Sequence, residues 1–135
     1  MTTHSPEVFP PWFTSQGIDL SLYPIDDVLR QALSPDEAQF RTGCTLLKAM
    51  CHSGRIEAGV FLLGLLKRHP DDFGRLFIIA DALSSFPCRE TVELFASELR
   101  RVKGSSSTRV YLRRLVEALE QFPRALTEEA VRRLA

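Results

Sequence analysis

Residues 55–86 read RIEAGVFLLGLLKRHPDDFGRLFIIADALSSF, two apolar runs divided by His69-Pro70-Asp71-Asp72. Proline is excluded from a helix interior, and paired carboxylates suit a helix start, so the stretch is two helices joined by a short turn. The first carries Ile56, Val60, Phe61, Leu62, Leu63, Leu65 and Leu66; the second carries Phe73, Leu76, Phe77, Ile78, Ile79, Ala80, Ala82, Leu83 and Phe86. A helix that is apolar on nearly every side must be covered on every side. The stretch therefore predicts a central helical pair with neighbours on both flanks.

Working outward toward the N-terminus, Ser34-Pro35-Asp36-Glu37 has the spacing of a capping box, with Ser34 as N-cap and Glu37 three residues on. It opens a helix to His52, stopped by Ser53-Gly54, with Phe40, Cys44, Leu47 and Cys51 as its apolar stripe. A shorter helix precedes it from Pro24 to Leu33, started by Asp26 and Asp27. Toward the C-terminus a fifth helix runs from Cys88 to Lys103, and the run Ser105 to Thr108 caps a sixth that ends at Phe122-Pro123. Thr127, Glu128 and Glu129 open a short seventh. The fifth and sixth are one-sided, with Phe95, Leu99 and Val102 on one stripe and Leu112, Leu115, Leu119 and Phe122 on the other. No stretch alternates long enough for a half-buried strand, so the fold class is all-α.

The first 23 residues differ from the rest. Pro6, Pro10, Pro11 and Gly17 prevent a regular helix, yet Phe9, Trp12, Phe13, Ile18, Leu20, Leu22 and Tyr23 are too apolar for a free tail. An irregular arm over 1–23 is expected to lie across a helical domain of 24–135; a docking segment using Trp12 is the alternative.

The helix ends recur. Ile79 to Pro87 aligns with Leu115 to Pro123 at an offset of 36, matching acid, Ala, Leu, Phe and Pro. Val60-Phe61 and Leu65 align with Leu94-Phe95 and Leu99 at 34, and Lys48-Ala49-Met50 precedes Asp81-Ala82-Leu83 by 33. Two helices per unit at this period make an α-solenoid. Leu46 to Gly59, followed by Leu63, Leu66 and Pro70, resembles one tetratricopeptide repeat. In that likeness Gly54 is the tight turn, Gly59 the small residue of helix approach and Pro70 the closing residue. The later units lose the small residue and the turn glycine, and resemble HEAT hairpins equally well. The resemblance implies a right-handed α-α superhelix of about three stacked hairpins that binds a peptide or helix of another protein. Cytosolic chaperones of bacterial secretion subunits are among the small proteins of this kind.

Hydrophobic residues make up 44% and charged residues 25% of the 135, enough to bury a core without metal or disulfide. The net charge of zero hides a polarity. Residues 1–98 hold 8 Lys/Arg against 13 Asp/Glu, a net of −5, and residues 99–135 hold 9 against 4, a net of +5. Such a chain can steer partners of either sign or associate with its own copy. Cys44, Cys51 and Cys88 are too few for a disulfide framework, and the first two stand about 10.5 Å apart along one helix. Buried reduced thiols point to the cytoplasm, the start lacks the apolar core of a secretory signal, and no run spans a bilayer.

Chemistry is sparse. His4, His52 and His69 have no neighbouring nucleophile on a shared face; His69 ends a helix, where a cation suits the dipole. Cys44, Cys51 and His52 lack metal-ligand spacing, and no glycine-rich phosphate loop is present, so neither an enzyme nor a cofactor is expected. Asp81 stands out inside an apolar helix, where a carboxylate needs a partner such as Arg75 or Lys48, and Glu117 repeats it 36 residues later. The basic stripe holds Arg100, Arg101, Lys103, Arg109, Arg113 and Arg114, with Tyr111 among them. The candidate partner-binding residues are Arg109, Arg113, Arg114, Asp81, Glu117, Tyr111 and Trp12. Protein binding is the leading expectation, and nucleic-acid binding through the arginine stripe the alternative.

Overall fold

The computed structural model describes residues 10–134; His4, Pro6 and Phe9 of the arm lie outside that range. The described residues form seven helices: α1 (Asp26–Ala32), α2 (Glu37–His52), α3 (Ile56–Leu66), α4 (Phe73–Leu83), α5 (Arg89–Arg101), α6 (Arg109–Gln121) and α7 (Arg124–Leu134). The fold is all-α, and among the described residues the one departure is a small hairpin in the arm, β1 (Phe13–Thr14) paired antiparallel with β2 (Gly17–Ile18). That hairpin was not expected; Ser15 and Gln16 form its turn, and Gly17 at φ 118° opens its second strand.

Alternate helices pack together. Helix α4 lies between α2 and α6, while α3 packs on α2 and α4, and α5 on α6 and α7. One continuous core runs through the stack, with Phe40, Leu47, Met50, Leu62, Leu76, Ile79, Leu83, Phe95, Tyr111 and Leu115 fully buried. Each such aliphatic or aromatic side chain contributes about 1.5–3 kcal/mol relative to exposure.

The expectation of two fully covered helices holds only in part for α4, where Leu76, Ile79, Ala80 and Leu83 are buried but Phe77 and Ile78 are half-buried, and it fails for α3. Ile56 is 67% and Val60 57% exposed, because the side of α3 turned away from α2 and α4 faces water. Helix α2 ends where Ser53-Gly54 was read as its stop: Gly54 has φ 89°, Arg55 N–H donates to Met50 O at 2.9 Å and Gly54 N–H to Cys51 O at 3.0 Å, a Schellman ending. Gly59 is closed over by the Phe86 ring, which stands where a side-chain carbon would go.

Three caps differ from their sequence reading. Asp36, not Ser34, is the N-cap of α2 and accepts from Gln39 N–H at 3.0 Å, while Ser34 accepts from Asp36 N–H. Glu37 is drawn off to Arg75 instead of closing a capping box. Thr108 stands at the start of α6 but makes no side-chain cap; its hydroxyl donates to Lys103 O at 2.7 Å. Helix α7 begins at Arg124, three residues before Thr127, because Pro123 forces Phe122 into extended backbone and frees the chain to turn at once. Thr127 is buried within it.

The arm is fastened to the body by its backbone. Arg55 donates from one Nη to Leu20 O at 3.1 Å and Tyr23 O at 2.8 Å, and the Leu20 and Tyr23 side chains pack on the core.

Candidate functional site

Asp81 is the node of an ion-pair ladder across three helices. Its two carboxylate oxygens accept from Lys48 Nζ of α2 and Arg114 Nε of α6, each at 3.0 Å and each 33 residues away. The recurring 33 is the register of α2, α4 and α6, so Arg114 stands opposite Asp81. Glu117, which the 36-residue alignment made its equivalent, is exposed and only reaches Arg114 at 4.0 Å. Burial raises the Asp81 carboxyl, but the two cationic donors outweigh it and hold it below the ordinary carboxylate range.

Arg75, the other partner expected for Asp81, serves a different purpose. It is buried, donates to Ser34 O and Pro35 O at 3.1 and 2.9 Å, pairs with Glu37, and lies 4.2 Å over the Phe40 ring. It staples the start of α4 to the loop between α1 and α2. His69 stands edge-on to the same ring at 5.8 Å. Burial and the Arg75 charge lower its pKa, which disfavours the cation that would suit a helix end.

Tyr111 is not a surface ring. It is 1% exposed, and its hydroxyl donates to Glu98 Oε1 at 2.7 Å. Glu98 is itself buried and accepts two further bonds from Arg101, at 2.7 and 2.8 Å, while Arg101 also donates to Pro70 O. Burial and the neighbouring carboxylate push the Tyr111 phenol well above its usual range; the donors of Arg101 and Tyr111 hold Glu98 below its own, against burial. Nothing in the spacing of Glu98 and Tyr111 reveals this pair, because it needs the turn at 102–108 to bring α5 and α6 face to face. Trp12 is half-buried, edge-on to Tyr23 at 4.9 Å, and so belongs to the packing of the arm.

Arg109 and Arg113 remain. Both are exposed on the outer face of α6, where they line a shallow groove with Leu112, Val116 and the loop 104–106. Neither makes an ion pair among the described residues, unlike Arg101 and Arg114. The sequence-predicted stripe thus divides: Arg101 and Arg114 are structural, Arg100 and Lys103 are exposed outside the groove, and Arg109 and Arg113 face outward over an apolar floor.

Burial lifts the thiols of Cys44 to about 12 and Cys51 to about 11, so both are protonated and inert, while His52 is exposed beside Cys51 and forms no dyad with it. Among the described residues no three His, Cys, Asp or Glu side chains converge as metal ligands, and no helix is long and apolar enough to cross a membrane. Comparison with known proteins finds no matching family model, no matching curated protein and no matching solved structure.

Proposed function

We propose that the chain is a protein-binding helical-repeat module, a small adaptor or chaperone acting in the cytoplasm, whose contact surface is the outward face of α6. The hairpins would wind as a right-handed superhelix of the tetratricopeptide or HEAT kind. The observation that carries the reading is the pairing of two unengaged guanidinium groups, Arg109 and Arg113, with the apolar Leu112 and Val116 in one groove. An amphipathic helix or peptide with acidic residues beside an apolar edge has the complementary chemistry.

Nucleic acid is the weaker reading. A single-strand binder stacks bases on exposed rings beside its cations, and the ring of Tyr111 is buried. Co-purification with tagged wild-type chain and with the Arg109→Glu/Arg113→Glu variant tests the proposal. A stoichiometric protein recovered by the first and lost from the second, with unchanged helical circular dichroism, is the expected result. Equal recovery by both, or retention of nucleic acid in place of protein, would overturn it.

A further inference from the structure

Helix α6 carries its charges against its own dipole. Arg109 lies in its first turn and Glu120 in its last, and neither end holds a charge of the favourable sign. Helices α1, α2 and α5 carry acids at the start and bases at the end: α1 has Asp26 and Asp27 before Arg30, α2 has Glu37 before His52, and α5 has Glu90 before Arg100 and Arg101. Helix α4 shares the reversed order, with Arg75 in its first turn and Asp81 in its last, but there both charges are paired, Arg75 with Glu37 and Asp81 with Lys48 and Arg114. Thr108 does nothing to relieve the start of α6, since its hydroxyl is turned to Lys103 O. Within one molecule these placements cost stability and return no ion pair, for Arg109, Arg113 and Glu120 have none among the described residues.

Arg109, Arg113, Val116 and Glu120 are spaced i, i+4, i+7 and i+11, and all four are exposed, so they form one stripe about 16 Å long. The stripe is basic at one end, apolar in the middle with Leu112 at its edge, and acidic at the other. Such an order is complementary to itself when reversed.

We infer that α6 pairs antiparallel with the α6 of a second copy of this chain. In that arrangement Arg109 meets Glu120 of the other copy, Arg113 meets Glu117 of the other copy, and Val116 and Leu112 meet across the two-fold axis. The opposed dipoles and the two sets of ion pairs compensate the charge placement that the isolated helix leaves unfavourable. The loop of Gly104, Ser105 and Ser106 beside Arg109 is small enough to admit the end of the opposing helix. A two-fold contact of this kind closes at two copies and does not propagate. A single helix face is below the area of a standard stable interface, so the dimer is weak and dissociates as salt rises.

The inference rests on the reading of this face as a protein-binding surface and names its occupant. Analytical ultracentrifugation of the purified chain across a wide concentration range tests it. Mass doubles with concentration in wild type, Arg109→Glu and Glu120→Arg each abolish the doubling, and Arg109→Glu/Glu120→Arg restores it. Both single changes favour the helix dipole, so loss of the dimer comes without loss of helical circular dichroism. A monomer at every concentration, a dimer indifferent to Arg109→Glu, or a double variant that stays monomeric overturns the inference. If the chain is monomeric while co-purification still shows an Arg109- and Arg113-dependent partner, the self-pairing falls and the protein-binding reading stands. If both experiments fail, both fall.

Discussion

Two glycines within helices carry opposite expectations. At Gly43 an added side-chain carbon would stand 2.5 Å from the backbone nitrogen of Ala32, so α1 and α2 touch there through their main chains. Backbone on both sides leaves nothing flexible to yield, and Gly43→Ala should destabilise by about 2–3 kcal/mol. Gly64 has open space around it in the last turn of α3. Gly64→Ala should stabilise by about 0.5–1 kcal/mol through backbone entropy alone. Urea unfolding of the two variants beside wild type measures both, and a shift of the same sign for each would contradict the packing described. From the sequence, Gly59 drew attention because a repeat pattern singles it out, and Gly43 did not. Its constraint comes from a neighbouring helix and has no local mark. Tyr111 was misplaced for a similar reason: an aromatic among arginines looks exposed until the carboxylate that takes its hydroxyl is brought from another helix.

Across elements, the ladder of Lys48, Asp81 and Arg114 sets the register of α2, α4 and α6. Its members are unequal. Arg114 is 15% exposed and Lys48 40%, so removing Asp81 strands the more buried cation. Asp81→Asn should cost about 1–2 kcal/mol, discounted for a carboxylate a third exposed, and Lys48→Ala under about 1 kcal/mol. The depressed Asp81 carboxyl binds its proton less readily folded than unfolded, so its stabilisation is present above the ordinary carboxylate range and is lost as pH falls through its lowered folded value. Thermal melts over acidic pH should therefore show a shallower loss for Asp81→Asn than for wild type, and parallel curves would remove the ladder from the account. The demand for a partner was legible in the sequence, since an acid inside an apolar helix has few other solutions. The choice of partner was not. Helix ends align at 36 residues and point to Glu117, whereas the helix faces meet at 33 and bring Arg114. Helix starts were blurred in the same way: Ser34 and Asp36 are both competent caps, and Arg75, drawing Glu37 away, leaves the cap to Asp36.

At the scale of the whole molecule, the stack distributes stability from its middle outward. Helix α4 packs against α2, α3 and α6, and its Leu76, Ile79, Ala80 and Leu83 are completely buried. The all-α class and the central place of α4 follow from its composition, because a helix apolar on every side has nowhere else to go. The same logic overestimated α3, whose Ile56 and Val60 stay wet; composition cannot say which of two apolar helices has a neighbour on its second side. Helices α1 and α7 each pack mainly on one neighbour, α2 and α5, so opening is expected to proceed from these ends. Native-state hydrogen exchange should thus find the amides of α4 slowest and those of α1 and α7 fastest, with α2 and α6 between. The ordering reports packing and not helix propensity, for α4 contains Gly74 and two isoleucines while α7 is rich in good helix formers. Should α7 outlast α4, the core would lie at the basic end of the chain, and the outward face of α6 would be part of a packed centre instead of a surface open to a partner.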